Sequence, residues 1–168
     1  MADEFSNQAH VEKVDALFST IAMRYDLVND IQSAGLHRLW KRKMARLVAL
    51  GESEQALDVC CGTGDLIVRL AKRGGRVAGV DMNGAMLNVA RRRLAKCNIG
   101  QSRLYQADAL QLPFGDGQFD VVTIAYGLRN LADYKIGLQE IFRVLKPGGR
   151  LAILDFGKPP NRFLRGLY

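Results

Sequence analysis

A short apolar run that turns through Gly-x-Gly into a helix constrains this chain more than any other feature. Leu57-Asp58-Val59-Cys60-Cys61 leads into Gly62-Thr63-Gly64, and a helical stretch begins at Asp65. Residues without a Cβ permit both the tight turn and the close approach of a ligand to the backbone at the strand's carboxyl end. The amides of the following helix then face that ligand. From Ala56 onward the same alternation repeats. Apolar runs at residues 56–61, 76–81, 102–108, 119–126 and 150–157 are separated by helical stretches that begin at Asp65, Asn83 and Asp133. This predicts an α/β, Rossmann-like fold: a parallel sheet of about five strands with helices on its faces. In the helix from Asp133, Leu138, Ile141, Phe142 and Leu145 mark the apolar stripe, and Pro147-Gly148-Gly149 is the expected stop.

Two helices are predicted ahead of the first strand. Val14, Leu17, Phe18, Ile21 and Tyr25 recur at helical spacing over residues 11–25, a polar break follows at residues 29–33, and a second helix covers residues 36–50. In the second, Leu36, Leu39, Trp40, Met44, Leu47 and Val48 are read as one side, with Arg and Lys on the other. At 168 residues the chain is one domain. Residues 1–50 form an N-terminal helical element facing substrate and membrane, and residues 51–168 form the nucleotide-binding core.

Composition narrows the classes. With 48% hydrophobic and 24% charged residues the chain has material for a core. No apolar run approaches the roughly 20 residues of a membrane span, and the polar start is unlike a secretory signal, so the expected location is cytoplasmic. Three cysteines, two of them adjacent (Cys60 and Cys61), without Cys-x-x-Cys or paired histidine spacing, predict neither a disulfide framework nor a metal site. A net charge of +7 suits nucleic acid, an acidic ligand or an anionic membrane surface, and charge alone does not choose among them. Much of it lies in two clusters, residues 37–43 and 91–96, each readable as a solvated helix face. Trp40 among the basic residues of the first also suits a helix lying on a membrane surface.

The strand ends carry the chemistry. A dinucleotide-binding loop places a third glycine where this chain has Ile67. Asp81, at the end of the second run, stands where an acid accepts hydrogen bonds from ribose hydroxyls. Asp108-Ala109, at the end of the third, can meet an adenine amino group. Adjacent in such a sheet, the three ends line one crevice suited to adenosine.

The chain resembles the C-methyltransferases of ubiquinone and menaquinone biosynthesis. The matching residues are Leu17-Phe18, Arg24-Tyr25-Asp26 with Asn29-Asp30, the stretch from Ser33 to Trp40, Cys61-Gly62-Thr63-Gly64-Asp65, Leu112-Pro113-Phe114, and Gly127-Leu128-Arg129-Asn130. The likeness continues through the stretches from Arg143 to Arg150 and from Asp155 to Pro159. Ala125 stands where the family often carries serine. The resemblance implies the class I S-adenosylmethionine-dependent methyltransferase fold and methylation of a ring carbon of a prenylated quinol, with S-adenosyl-L-methionine as cofactor. By the resemblance Thr63, Asp81, Asp108 and Ala109 contact the cofactor, and with the strand and loop residues Asp58, Gly62, Gly64 and Met82 they make up the expected cofactor site. Arg129, Asn130 and Tyr25 are the expected catalytic residues: Arg129 stabilises a phenolate or helps generate it through water, and Asn130 and Tyr25 position the ring. The expected partners are the quinol and a transient membrane surface at the inner face, not nucleic acid.

The family normally continues for roughly sixty or more further residues, counted from the strands still missing from the sheet. The expectation is therefore a C-terminally short sheet whose fifth strand, if its edge is unprotected, leads to a homodimer or to low solubility. Two alternatives accompany this reading: a shortened homologue that binds S-adenosylmethionine without catalysis, and a methyltransferase acting on another small molecule or on RNA.

Overall fold

In the computed structural model, residues 16–20 and 22–157 are described. The first five are helical, and a single 3-10 turn, Ala22–Arg24, leads into α1 (Tyr25–Ser33) and α2 (Leu36–Leu47). The alternating part follows as β1 (Gln55–Val59), α3 (Asp65–Ala71), β2 (Arg76–Asp81), α4 (Gly84–Lys96), β3 (Arg103–Gln106), β4 (Phe119–Ala125), α5 (Tyr134–Val144) and β5 (Leu145–Leu154). All four pairings are parallel, in the order β3-β2-β1-β4-β5. The order reverses at β1, the point where open α/β sheets place a ligand crevice.

Successive residues of the central strands face opposite sides. Ala56 and Val121 pack with Leu66, Ile67 and Leu70 of α3, Leu87 and Leu94 of α4 and Met44 of α2. Leu57, Val59, Val122 and Ile124 pack on the other side with Ile141 and Val144 of α5. The longer connection between β3 and β4 carries no helix and is held from outside. Arg143 of α5 donates to the carbonyls of Leu112 (3.0 Å) and Phe114 (2.7 Å), while Glu140 accepts from the Leu112 amide (2.8 Å). Side-chain caps start α4 and α5: Asn83 accepts from the Met86 amide and Asp133 from those of Lys135 and Ile136.

Four expectations are corrected. The polar stretch at residues 29–33 continues α1, and the chain turns at Ala34 and Gly35, both at positive φ. Its polarity serves the corner between α1 and α2: Ser33 donates to the Asn29 carbonyl (2.6 Å), and Asp30 accepts from His37 (2.8 Å) and twice from Arg38. In α2 the buried residues include His37 and Lys41, whereas Leu36, Leu39 and Leu47 are exposed. His37 and Lys41 turn inward because partners wait there, Asp30 and Asp65 respectively. On α5 the buried line runs through Gly137, Ile141 and Val144, leaving Phe142 outside. Finally, β5 starts at Leu145 because the incoming strand caps the helix: Gly117 and Gln118 donate to the carbonyls of Arg143 and Val144 (2.8 Å each). The pairing is irregular across Pro147-Gly148-Gly149 and regular from Arg150. The predicted helix over residues 11–15 and at 21, and the match at Lys158-Pro159, lie outside the described residues.

A Cβ added at Gly79 of β2 would come within 2.4 Å of Ile67 Cδ1 and 2.9 Å of both Cys61 Sγ and Leu104 Cδ2. Overpacking of this kind costs about 1–3 kcal/mol. Urea unfolding of Gly79→Ala is expected to show a loss in that range, partly recovered by adding Ile67→Val, which removes the clashing methyl; no loss would mean that α3 sits farther from the sheet than described.

Candidate active site

The loop after β1 begins with Cys60 at φ 54° and continues through Gly62 (φ 52°) and Gly64 (φ 74°). Where Gly62 would carry a Cβ there is open space, whereas a Cβ on Gly64 would lie 3.0 Å from Cβ of Ala90 on α4. The first glycine therefore leaves room above the loop, and the second lets the loop pack on a helix. Asp81, at the tip of β2, accepts from the Gly62 amide (2.7 Å) and the Asn83 amide (2.9 Å).

The crevice above these strand ends brings together Tyr25, Gly62, Asp81, Met82, Asp108, Ala109 and Asn130. Asp108 is exposed and accepts from the Leu110 amide (2.9 Å). Val80, Met86 and Leu131 add apolar wall, and Phe18 and Tyr25 form the opposite side in an edge-on ring pair 5.7 Å apart. Apolar walls with convergent acceptors suit a flat base attached to a sugar diol.

Asp58, Thr63, Gly64 and Arg129 do not line the crevice. Asp58 is buried beneath the loop with Thr123 donating to it (2.7 Å). Burial pushes its carboxyl up to about 7, against the opposing pull of Thr123 and Lys41. Thr63 is buried; its hydroxyl donates to Asp26 (3.0 Å) and accepts from Arg93 (3.1 Å). Arg129 is half exposed and paired with Asp155 (2.9 Å), its guanidinium over Phe156 at 5.0 Å. Asn130 donates to the Tyr126 carbonyl (3.3 Å), which leaves its side-chain oxygen for other contacts.

Protonation states limit the chemistry. Burial pushes the Tyr25 phenol up, and neither the neighbouring Asn29 amide nor the charge of Arg129 cancels the shift, so Tyr25 keeps its proton at neutral pH and is available as a donor. Burial and nearby carboxylates push the Cys60 and Cys61 thiols up, so neither is a nucleophile. Among the described residues no group of three or more His, Cys, Asp or Glu could hold a metal ion, and no helix is long and apolar enough to cross a membrane.

Residue patterns missed Cys60, Asn83 and Tyr126, which also line the crevice. Asn83 was open to recognition as a helix cap two residues beyond Asp81. Tyr126, stacked on Phe156 at 4.9 Å, adopts φ 63°, a conformation that nothing local in the sequence signals for a bulky residue.

Comparison with known proteins agrees with this geometry. The model of the ubiE/COQ5 methyltransferase family matches residues 6–168. The ubiquinone/menaquinone biosynthesis C-methyltransferase UbiE of Azotobacter vinelandii is 47% identical over 160 residues, 93% of this chain and 63% of that protein. The chain thus spans about 63% of the length of the curated relative it matches. A SAM-dependent methyltransferase from Aquifex aeolicus superposes with a TM-score of 0.66 at 26% identity, covering 73% of this chain and 66% of that one. Geranyl diphosphate C-methyltransferase from Streptomyces coelicolor, solved with S-adenosyl-L-homocysteine, does so with a TM-score of 0.63 at 28% identity, covering 71% and 47%. The Rossmann-like methyltransferase fold expected from the sequence is confirmed.

The sign of the Asp58 shift gives a test. A carboxyl whose folded pKa is raised favours folding while protonated; its contribution is full below the ordinary value of about 3.9 and is lost as pH rises through about 7. Urea melts from about pH 4 to pH 8 should show Asp58→Asn gaining on the parent by an amount on the order of a few kcal/mol; parallel curves would mean that Asp58 is ionised throughout.

Proposed function

Because the chain belongs to the ubiE/COQ5 methyltransferase family, we propose that it transfers a methyl group from S-adenosyl-L-methionine to a ring carbon of a prenylated quinol, in the step that yields menaquinol or its ubiquinone-pathway counterpart. The observation that carries this reading is the convergence of Asp81, Asp108 and Gly62 from three neighbouring strand ends on one crevice closed by Tyr25. When bound, the cofactor supplies a methyl group already activated by its sulfonium. Asp81 receives the ribose hydroxyls, Asp108 the adenine amino group, and Met82 and Ala109 flank the base. Asp58, Thr63 and Gly64 contribute from beneath, by holding the loop that lies against the ligand.

The protein's remaining tasks are orientation and activation of the ring carbon. Holding reactants in line supplies roughly 7–11 kcal/mol in favourable cases. A ring hydroxyl that loses its proton pushes charge onto the neighbouring carbon, and a nearby cation favours that loss. In this reading Tyr25 donates a hydrogen bond to a ring oxygen and Asn130 orients the ring. Arg129 stabilises the phenolate, by its field or after swinging from Asp155; with a pKa above about 12 it is no direct base.

The isoprenoid tail is handled at the cytoplasmic face of the inner membrane. Exposed Leu27, Ile31, Leu36, Leu39 and Leu47 beside Arg38, Arg42, Lys43 and Arg46 support a transient surface contact by residues 1–50, ahead of the cofactor-binding part at 51–168. Pairing of two chains through β5 would be compatible with either role.

Calorimetry with S-adenosylmethionine and no quinol should show binding by the parent, loss of binding in Asp81→Ala and a fall of about ten-fold in Asp108→Ala, the scale of a hydrogen bond to a charged group. No binding by the folded parent would overturn the cofactor reading. With a water-soluble short-chain quinol, Arg129→Ala should lower kcat at least about a hundred-fold, as removal of one group stabilising a developing anion does, with cofactor affinity within about three-fold; an equal loss of both would refute the role given to Arg129.

A further inference from the structure

Arg91 and Arg92 are exposed on α4, but Arg93, the third residue of the run, is turned inward. Its guanidinium pairs with Asp26 of α1 through Nη2 and donates to Thr63 of the glycine loop through Nη1 (3.1 Å). Thr63 in turn donates to the other Asp26 oxygen (3.0 Å). Three groups from α1, the loop and α4 thus close a ring of hydrogen bonds next to Tyr25. We propose that Arg93 is a positioning residue: it ties α1, and with it Tyr25, to the loop after β1, so that a ligand that orders the loop also orders the wall that faces it. This rests on the cofactor reading only for the identity of the ligand.

Three observations support it. Of the nine residues of α1 only Ser33 is fully buried, Tyr25 is partly buried over the crevice, and Leu27 and Ile31 point outward, so the rest of α1 gains little from apolar packing. Its other polar ties through Asp30 run to His37 and Arg38 on α2, whereas Asp26 reaches the core. Gly64 packs on Ala90, three residues and about one helical turn before Arg93, so the loop and the guanidinium share one edge of α4. A chemical limit follows for Thr63: having donated its one proton to Asp26, it can accept a hydrogen bond from a ligand ammonium but cannot donate one to a ligand carboxylate.

Amide hydrogen exchange of residues 25–33 tests the tie. In the free protein, Arg93→Met should speed exchange there about ten-fold, the scale of one lost charge-assisted contact, with β1 and β4 unchanged. Arg93→Lys, which keeps the charge but not the fork to Thr63, should fall between. If Arg93→Met does not fold, Asp26→Asn carries the same comparison. Unchanged exchange at residues 25–33 in a folded variant overturns the proposal. In the second arm, S-adenosyl-L-homocysteine should slow exchange at residues 25–33 in the parent, and this slowing should vanish in Arg93→Met although the ligand still binds; equal slowing in both would overturn the coupling. A parent that binds no S-adenosyl-L-homocysteine overturns the cofactor reading instead, and the free-protein comparison then decides the tie alone.

Discussion

One carboxylate holds the crevice in shape. Asp81 accepts from Gly62 and from Asn83, joining the loop after β1 to the start of α4 across the end of β2. Without it, the Gly62 amide would lack this acceptor and the loop would be free to lift from β2. The sheet order makes the join available, since β1 and β2 are neighbours and their ends reach the same level, with Val59 beside Val80. Asn83, fixed by its own cap to Met86, also donates to Ser19, so the same short stretch secures the N-terminal segment. In the proposed reading, the carboxylate that would meet a diol thus doubles as a structural joint.

If the crevice takes the proposed ligand, a joint at its edge couples order to occupancy. α1 adds little apolar contact of its own, and the tie through Asp26 is polar and partly solvated. Such contacts open at lower cost than the strands beneath them. The crevice thus has a rigid floor, built from strands with fully buried Leu57, Val59, Val122 and Ile124, and a wall that is more easily moved.

Much of this was legible in the residues. The alternation of apolar runs and helices located the first four strands to within two residues and the regular part of β5 from Arg150, and the glycine spacing with Asp81 and Asp108 indicated three ends of one crevice. The N-terminal helices were harder to read. His37 and Lys41 look like solvent residues of a basic face, yet they turn inward to Asp30 and Asp65, partners seven and twenty-four positions away in the chain. Arg93 could not be distinguished from Arg91 and Arg92, because the run contains no local sign of which guanidinium finds a carboxylate on another helix. Thr63 and Asp58 sat in the right motif, but their use in holding the loop rather than lining the crevice depends on Asp26 and Thr123, which the motif does not contain.

The contact between Gly64 and Ala90 bears on how such a chain can change over time. The loop backbone at Gly64 lies so near α4 that a methyl group there would already press on Cβ of Ala90. A larger residue at position 90 would displace the loop, and a larger one at 64 would be opposed both by the helix and by its left-handed backbone. The two positions therefore form an epistatic pair: neither can grow without a matching retreat elsewhere, and α4 has no smaller residue to offer than alanine without loosening the helix. Variation around the crevice is steered away from this contact and toward wall residues such as Leu131 and Phe18, whose side chains line the crevice.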